Sequence, residues 1–150
     1  NSYTARRARF LAHQSEYQAS VDRLDAEERT FGDGEWLDAQ LVRVDDLELV
    51  QAIAREVRAR GVEFVLVILP SQSCDRPFEE RLMAELGAPV LRYNVPALYP
   101  RLYEVEYSFD SGHLSAEGAD YFSRLLARDV AALARDEGGE PVQPVREEQP

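Results

Sequence analysis

Lysine is missing altogether, and all 17 basic residues of the 150-residue chain are arginine. So complete an absence reads as coding bias, which removes arginine identity as a functional clue. Positive charge is scarce as well. Against 28 acidic residues the formal net charge is −11, a field that repels a phosphate backbone and argues against nucleic-acid binding. Cysteine occurs once, at Cys74, which excludes an internal disulfide and a cysteine-rich zinc cage. Histidine occurs twice, at His13 and His113. No stretch approaches the roughly 20 apolar residues needed to cross a bilayer, and the longest apolar run, "FVLVIL", has the length of a strand. No charged-then-apolar leader opens the chain. The first residue is Asn1 rather than methionine, so the chain is read as a processed or partial product, and any membrane anchor would lie upstream of it.

Hydrophobic residues make up 45% of the chain, enough for one globular core at this length. Residues 4–30 read as a polar helix of weak amphipathicity with Phe10, Tyr17, Val21 and Leu24 on one side. Its arginines (Arg6, Arg7, Arg9) come early and its acids (Asp25, Glu27, Glu28) late, against the helix dipole, so tertiary contacts must decide whether it forms. "FGDGEW" then breaks it, with Asp33 a turn residue.

Patterns sharpen after residue 44. Asp45 or Asp46 can cap a helix that buries Leu47, Val50, Ile53, Ala54 and Val57 and ends at Gly61. "VEFVLVILP" is predicted as a buried strand stopped by Pro70. A second helix starts near Pro77 and carries Phe78, Leu82, Met83 and Leu86 before Gly87. "PVLRYNVP" follows as a shorter strand, and residues 96–108 as a tyrosine-rich loop. Ser115 can cap a last helix with Glu117 in its first turn and a buried stripe of Ala119, Phe122, Leu126, Val130 and Leu133. The tail, 136–150, has no apolar period and reads as disordered.

This alternation is that of an α/β domain with a parallel sheet. Two strands are too few for such a sheet, so the sheet is expected to be incomplete in this chain. We divide it into a polar helical insertion or linker (1–44), an α/β unit (45–135) and the tail (136–150).

The chemistry is concentrated in "FDSGHLSAEGADYF", residues 109–122. In open α/β sheets, reactive groups gather beyond the carboxyl ends of the strands, where this loop is expected. Asp110 can accept a hydrogen bond from the Nδ1–H of His113, leaving Nε2 free to take a proton from a serine hydroxyl and return it to a leaving group. The plain alternative is that Asp110 serves the turn and His113 is a surface or capping residue. His13, on a polar helix, reads as solvated, and Cys74 as an inert loop thiol. Asp110 and His113 alone offer too few ligands for a metal. No metal or other cofactor is expected.

"FDSGHLSAEGADYFSRLLA" resembles the last motif block of the SGNH/GDSL hydrolases, in which an Asp-x-x-His pair is followed by Leu or Pro, a small polar residue and a glycine opening the C-terminal helix. Here those positions are Asp110, His113, Leu114, Ser115 and Gly118. The resemblance covers about residues 45–135 and is nearest to the cell-envelope branch, whose members include proteins that move acyl groups onto polysaccharides or teichoic acids. It implies the C-terminal part of a three-layer α/β/α, flavodoxin-like fold. It also implies an esterase or O-acyltransferase with His113 and Asp110 catalytic, an acyl ester or polysaccharide-type small substrate and an extracytoplasmic or cell-envelope location; composition alone suits the cytoplasm equally well. The family's Gly-Asp-Ser-type turn, and the later glycine and asparagine of its oxyanion hole, are missing. "FGDGEW" has glycine where the serine is needed, and Ser71 and Ser73 follow a strand without a glycine elbow. By itself the chain is therefore expected to be inactive. A second reading is a non-catalytic α/β binding module that uses the cleft or the tyrosine-rich loop for recognition.

Overall fold

The computed structural model describes residues 3–31, 44–72 and 76–135, without the side chains of 28–31 and 44–45. Asp33, Ser73, Cys74, the Asp45 side chain and the 136–150 tail lie outside the described residues. Those residues form a mixed α/β structure of five α-helices, a parallel strand pair and a short antiparallel hairpin.

The N-terminal helical segment forms as two helices, α1 (Tyr3–Ala12) and α2 (Gln14–Phe31), broken at His13. The imidazole there bonds the Arg9 carbonyl at 2.8 Å, and the ring is exposed. Phe10, Tyr17, Val21 and Leu24 are all buried, packed with Leu91, Tyr93, Leu102 and Leu125 from the rest of the chain. Burial of that stripe, and not the misplaced charges, determines helix formation here.

Helix α3 (Val44–Ala59) begins at or before the predicted caps, so Asp45 and Asp46 sit inside its first turn. Its end follows expectation. Gly61 adopts φ +73, its N–H reaches the Arg58 carbonyl at 2.9 Å, and the Val62 N–H reaches back to Val57 at 3.4 Å. This is the paired bonding of a Schellman cap, in which a left-handed residue favours glycine. Leu47 and Ala54 are buried, whereas Ile53, predicted inward, faces solvent.

Strand β1 is shorter than predicted, Leu66–Ile68, and half-buried, with Val62 and Leu69 exposed. It pairs in parallel with β2 (Val90–Arg92), in the register Leu66↔Val90, Val67↔Leu91, Ile68↔Arg92. Two flanking bonds extend the ladder: Leu66 N–H to the Pro89 carbonyl at 3.0 Å and Tyr93 N–H to the Ile68 carbonyl at 2.9 Å. Among the described residues no strand pairs with the other edge of β1. A parallel strand is fully buried only between neighbours and under layers on both faces, which accounts for the shortfall.

Alternation along the pair separates two clusters. Phe64, Leu66 and Val90 pack with Leu47 and Ala54 of α3 and with Leu82 and Leu86, from and just after α4 (Arg76–Glu85). Val65, Val67, Leu91 and Tyr93 face α1, α2 and α5 (Ala116–Leu133). Met83, predicted on the inner face of α4, is exposed.

The predicted tyrosine-rich loop is core. Tyr99, Leu102 and Tyr103, around a 3₁₀ turn at Pro100–Tyr103, are all buried. Each hydroxyl that goes inside needs a partner: Tyr103 donates to the Tyr93 carbonyl at 3.0 Å, and Tyr93 to Asp129 Oδ2 at 2.8 Å. Asp129 explains a second difference. The inward face of α5 is centred on Gly118, Leu125 and Asp129, while Ala119 and Val130 point outward, about one residue round from the predicted stripe.

Candidate active site

The sequence between the 3₁₀ turn and α5 forms a hairpin, β3 (Ser108–Asp110) and β4 (His113–Leu114), that the strand patterns did not foretell. Ser108 pairs with Leu114 and Asp110 with His113, with an irregularity at Phe109. The extra residue is a bulge, a device that re-aims side chains at the end of a ladder. A two-residue turn, Ser111-Gly112, therefore sets Asp110 and His113 directly opposite each other. Residues so paired project to the same face, which is what the Asp-x-x-His spacing achieves physically.

Asp110 Oδ1 lies 2.7 Å from His113 Nδ1 and also accepts the Gly112 N–H at 2.9 Å. Oδ2 is bonded by the Arg6 guanidinium of α1. Burial of the carboxyl works against its charged form, but the Gly112 N–H, His113 and Arg6 outweigh it and hold the Asp110 pKa below the usual carboxylate value. The Asp110 side chain is 15% exposed and that of His113 67%. The carboxylate is thus tucked behind the ring and the ring faces outward. With Nδ1 engaged by an ionised acceptor, the neutral ring carries its proton there and Nε2 is the basic nitrogen.

The hairpin is tied to the helix behind it. Ser115, the N-cap of α5, accepts the Gly118 N–H at 3.1 Å, gives its own hydroxyl to the Glu106 carbonyl at 2.9 Å, and donates its N–H to the Tyr107 carbonyl at 2.9 Å. Gly118 rests against that same carbonyl. A Cβ there would come within 2.0 Å of the Tyr107 oxygen, so this turn of α5 admits no side chain. Below, Tyr17 and Ser108 share a hydroxyl hydrogen bond of 2.7 Å, and burial pushes the Tyr17 phenol pKa up despite it.

Asp110 and His113 open onto a cleft of about 370 Å³. Its far wall is Leu69–Gln72, the segment leaving the carboxyl end of β1; Leu102, Leu114 and Phe122 give it an apolar floor. Ser71 thus shares the cleft with His113, while Ser73 and Cys74 fall outside the described residues. Of the tyrosine-rich segment, Leu102, Tyr103 and Ser108 line the cleft, all three buried. Among the described residues no group of three or more His, Cys, Asp or Glu could hold a metal ion, and no helix is long and apolar enough to cross a membrane.

Sequence reasoning missed Arg6 and Arg7. Arg7 donates to the carbonyls of Val105 at 3.0 Å, Phe109 at 3.3 Å and Ser108. The available signal is the spacing of Tyr3, Arg6, Arg7 and Phe10, which places them on one face of a helix. Comparison with known proteins returns no match of any kind: no family model, no curated protein and no solved structure.

Proposed function

We propose that this chain is the C-terminal half of an SGNH-type esterase or O-acyltransferase domain, with His113 as general base and acid and Asp110 as the carboxylate that orients it. The observation that carries this reading is the 2.7 Å bond between His113 Nδ1 and Asp110 Oδ1, with the ring outward at the rim of a cleft. That is the arrangement in which an imidazole can take a proton from a serine hydroxyl attacking an ester carbonyl, then deliver it to the departing alkoxide. The layering supports it too. Helices cover both faces of the parallel pair, in keeping with a three-layer α/β/α, flavodoxin-like sheet of which this chain supplies part. The nucleophile is assigned to an upstream portion of the protein, because no serine in this sequence sits in a Gly-Asp-Ser-type turn. An acyl ester, with water or a sugar hydroxyl as acceptor, fits the apolar floor and polar rim; a cell-envelope location belongs to the same reading.

The test uses the longer protein that carries the nucleophile. Wild type hydrolyses p-nitrophenyl acetate, and His113→Ala loses about 10³-fold or more of that rate, the scale seen when a triad member is removed. Equal rates remove His113 from the chemistry. A non-catalytic binding module is then left to account for the cleft.

A further inference from the structure

We infer that helix α1 is a positioning element for the Asp110–His113 pair, with Arg6 as the positioning residue; the inference rests on the function proposed above. A carboxylate that holds an imidazole through one oxygen can still rotate away about its own bonds. Here Oδ1 takes His113 and the Gly112 N–H, while Oδ2 takes Arg6, so both oxygens are held. Arg6 is itself placed. Its guanidinium lies over the Phe109 ring at 5.8 Å, and Tyr3 stacks on that ring with centroids 4.1 Å apart and planes at 22°. The next residue, Arg7, bonds the carbonyls of Val105, Ser108 and Phe109, fixing the strand that carries Asp110. A half-exposed ion pair of this kind adds little to stability. Its consequence is orientation: α1, about 100 residues away in sequence, sets the angle at which Asp110 meets the ring.

Nitrogen-15 NMR of the imidazoles tests this in the chain as it exists. With only two histidines, His13 serves as an internal reference. At a pH where both rings are neutral, wild-type His113 is expected in the Nδ1–H form. In Arg6→Met, which keeps the aliphatic stem and removes the charge and donors, His113 shifts toward the Nε2–H form favoured by an unrestrained ring. Arg6→Lys restores most of the Nδ1–H population, and Tyr3→Ala gives a smaller loss than Arg6→Met. Melting temperatures stay close to wild type throughout, which separates positioning from folding. Should Arg6→Met keep the wild-type tautomer, the role of α1 is overturned while the function proposed for His113 stands. A wild-type ring in the Nε2–H form overturns both.

Discussion

The two faces of the β1–β2 pair are built differently. One is mainly apolar: Leu47, Ala54, Leu82 and Leu86 close over Phe64, Leu66 and Val90 with no hydroxyl among them, and the buried polar bonds beside them centre on Glu79, held by Arg76, Arg92 and Asn94. The other is aromatic and threaded with directional bonds, from Tyr103 to the Tyr93 backbone, Tyr93 to Asp129, and Tyr17 to Ser108. Aliphatic packing is tolerant of small rearrangement, because contact area matters more than angle. A hydroxyl network is not, since a buried donor or acceptor left without its partner costs the full desolvation of that group. The candidate site stands on the second face. The apolar face supplies stability; the tyrosine face supplies stability and geometry together.

The largest effect that separates the two is expected from Gly118→Ala. Its methyl group would overlap the Tyr107 carbonyl, so α5 and the hairpin must part, at about 3 kcal/mol or more in denaturant melts. The amide signals of residues 106–114 should shift with it. Leu82→Ala is the counterpart on the apolar face. It should cost about 2–3 kcal/mol through its cavity, yet leave the His113 ring signals unchanged. Movement of those signals in Leu82→Ala would erase the distinction between the faces. Tyr93→Phe removes one oxygen atom and leaves the Asp129 carboxylate bonded by Arg128, at 2.7 Å. About 1.5–2 kcal/mol is expected, the lower part of the range of about 1.5–3 kcal/mol for a hydrogen bond to a charged group.

These contrasts also explain what was legible in the residues alone. The Ser115 cap, the stop at Gly61 and the opposition of Asp110 and His113 are all local, decided within a few positions by backbone geometry. What was not legible depended on distant partners. The strand pattern of "VEFVLVILP" promised burial, but burial needs neighbours, and among the described residues β1 has one. Residues 96–108 read as a loop, yet Tyr99 and Tyr103 are core; the Tyr103 hydroxyl finds its partner on the Tyr93 backbone, which a local pattern does not locate. The inward face of α5 was misplaced for the same reason, since Asp129 is buried only because Tyr93 meets it. Arg6 and Arg7 find their partners about 100 positions away.

The smallest effect expected is a pH dependence. The folded Asp110 pKa lies below its unfolded value of about 4, so the ionised carboxylate stabilises the fold above that value, and the contribution is lost as pH falls through the folded pKa. Wild type should therefore exceed Asp110→Asn in stability at pH 7, and the margin should shrink on acidification from about pH 5 downward. A margin that stays constant would mean that the native carboxylate gains nothing from Gly112, His113 and Arg6.

The most direct test compares the imidazole nitrogens of His113 in wild type and in Asp110→Ala. The account predicts an Nδ1–H ring in wild type that converts to the Nε2–H form once the carboxylate is gone. The same tautomer in both proteins would contradict it, because His113 would then be oriented by something other than Asp110.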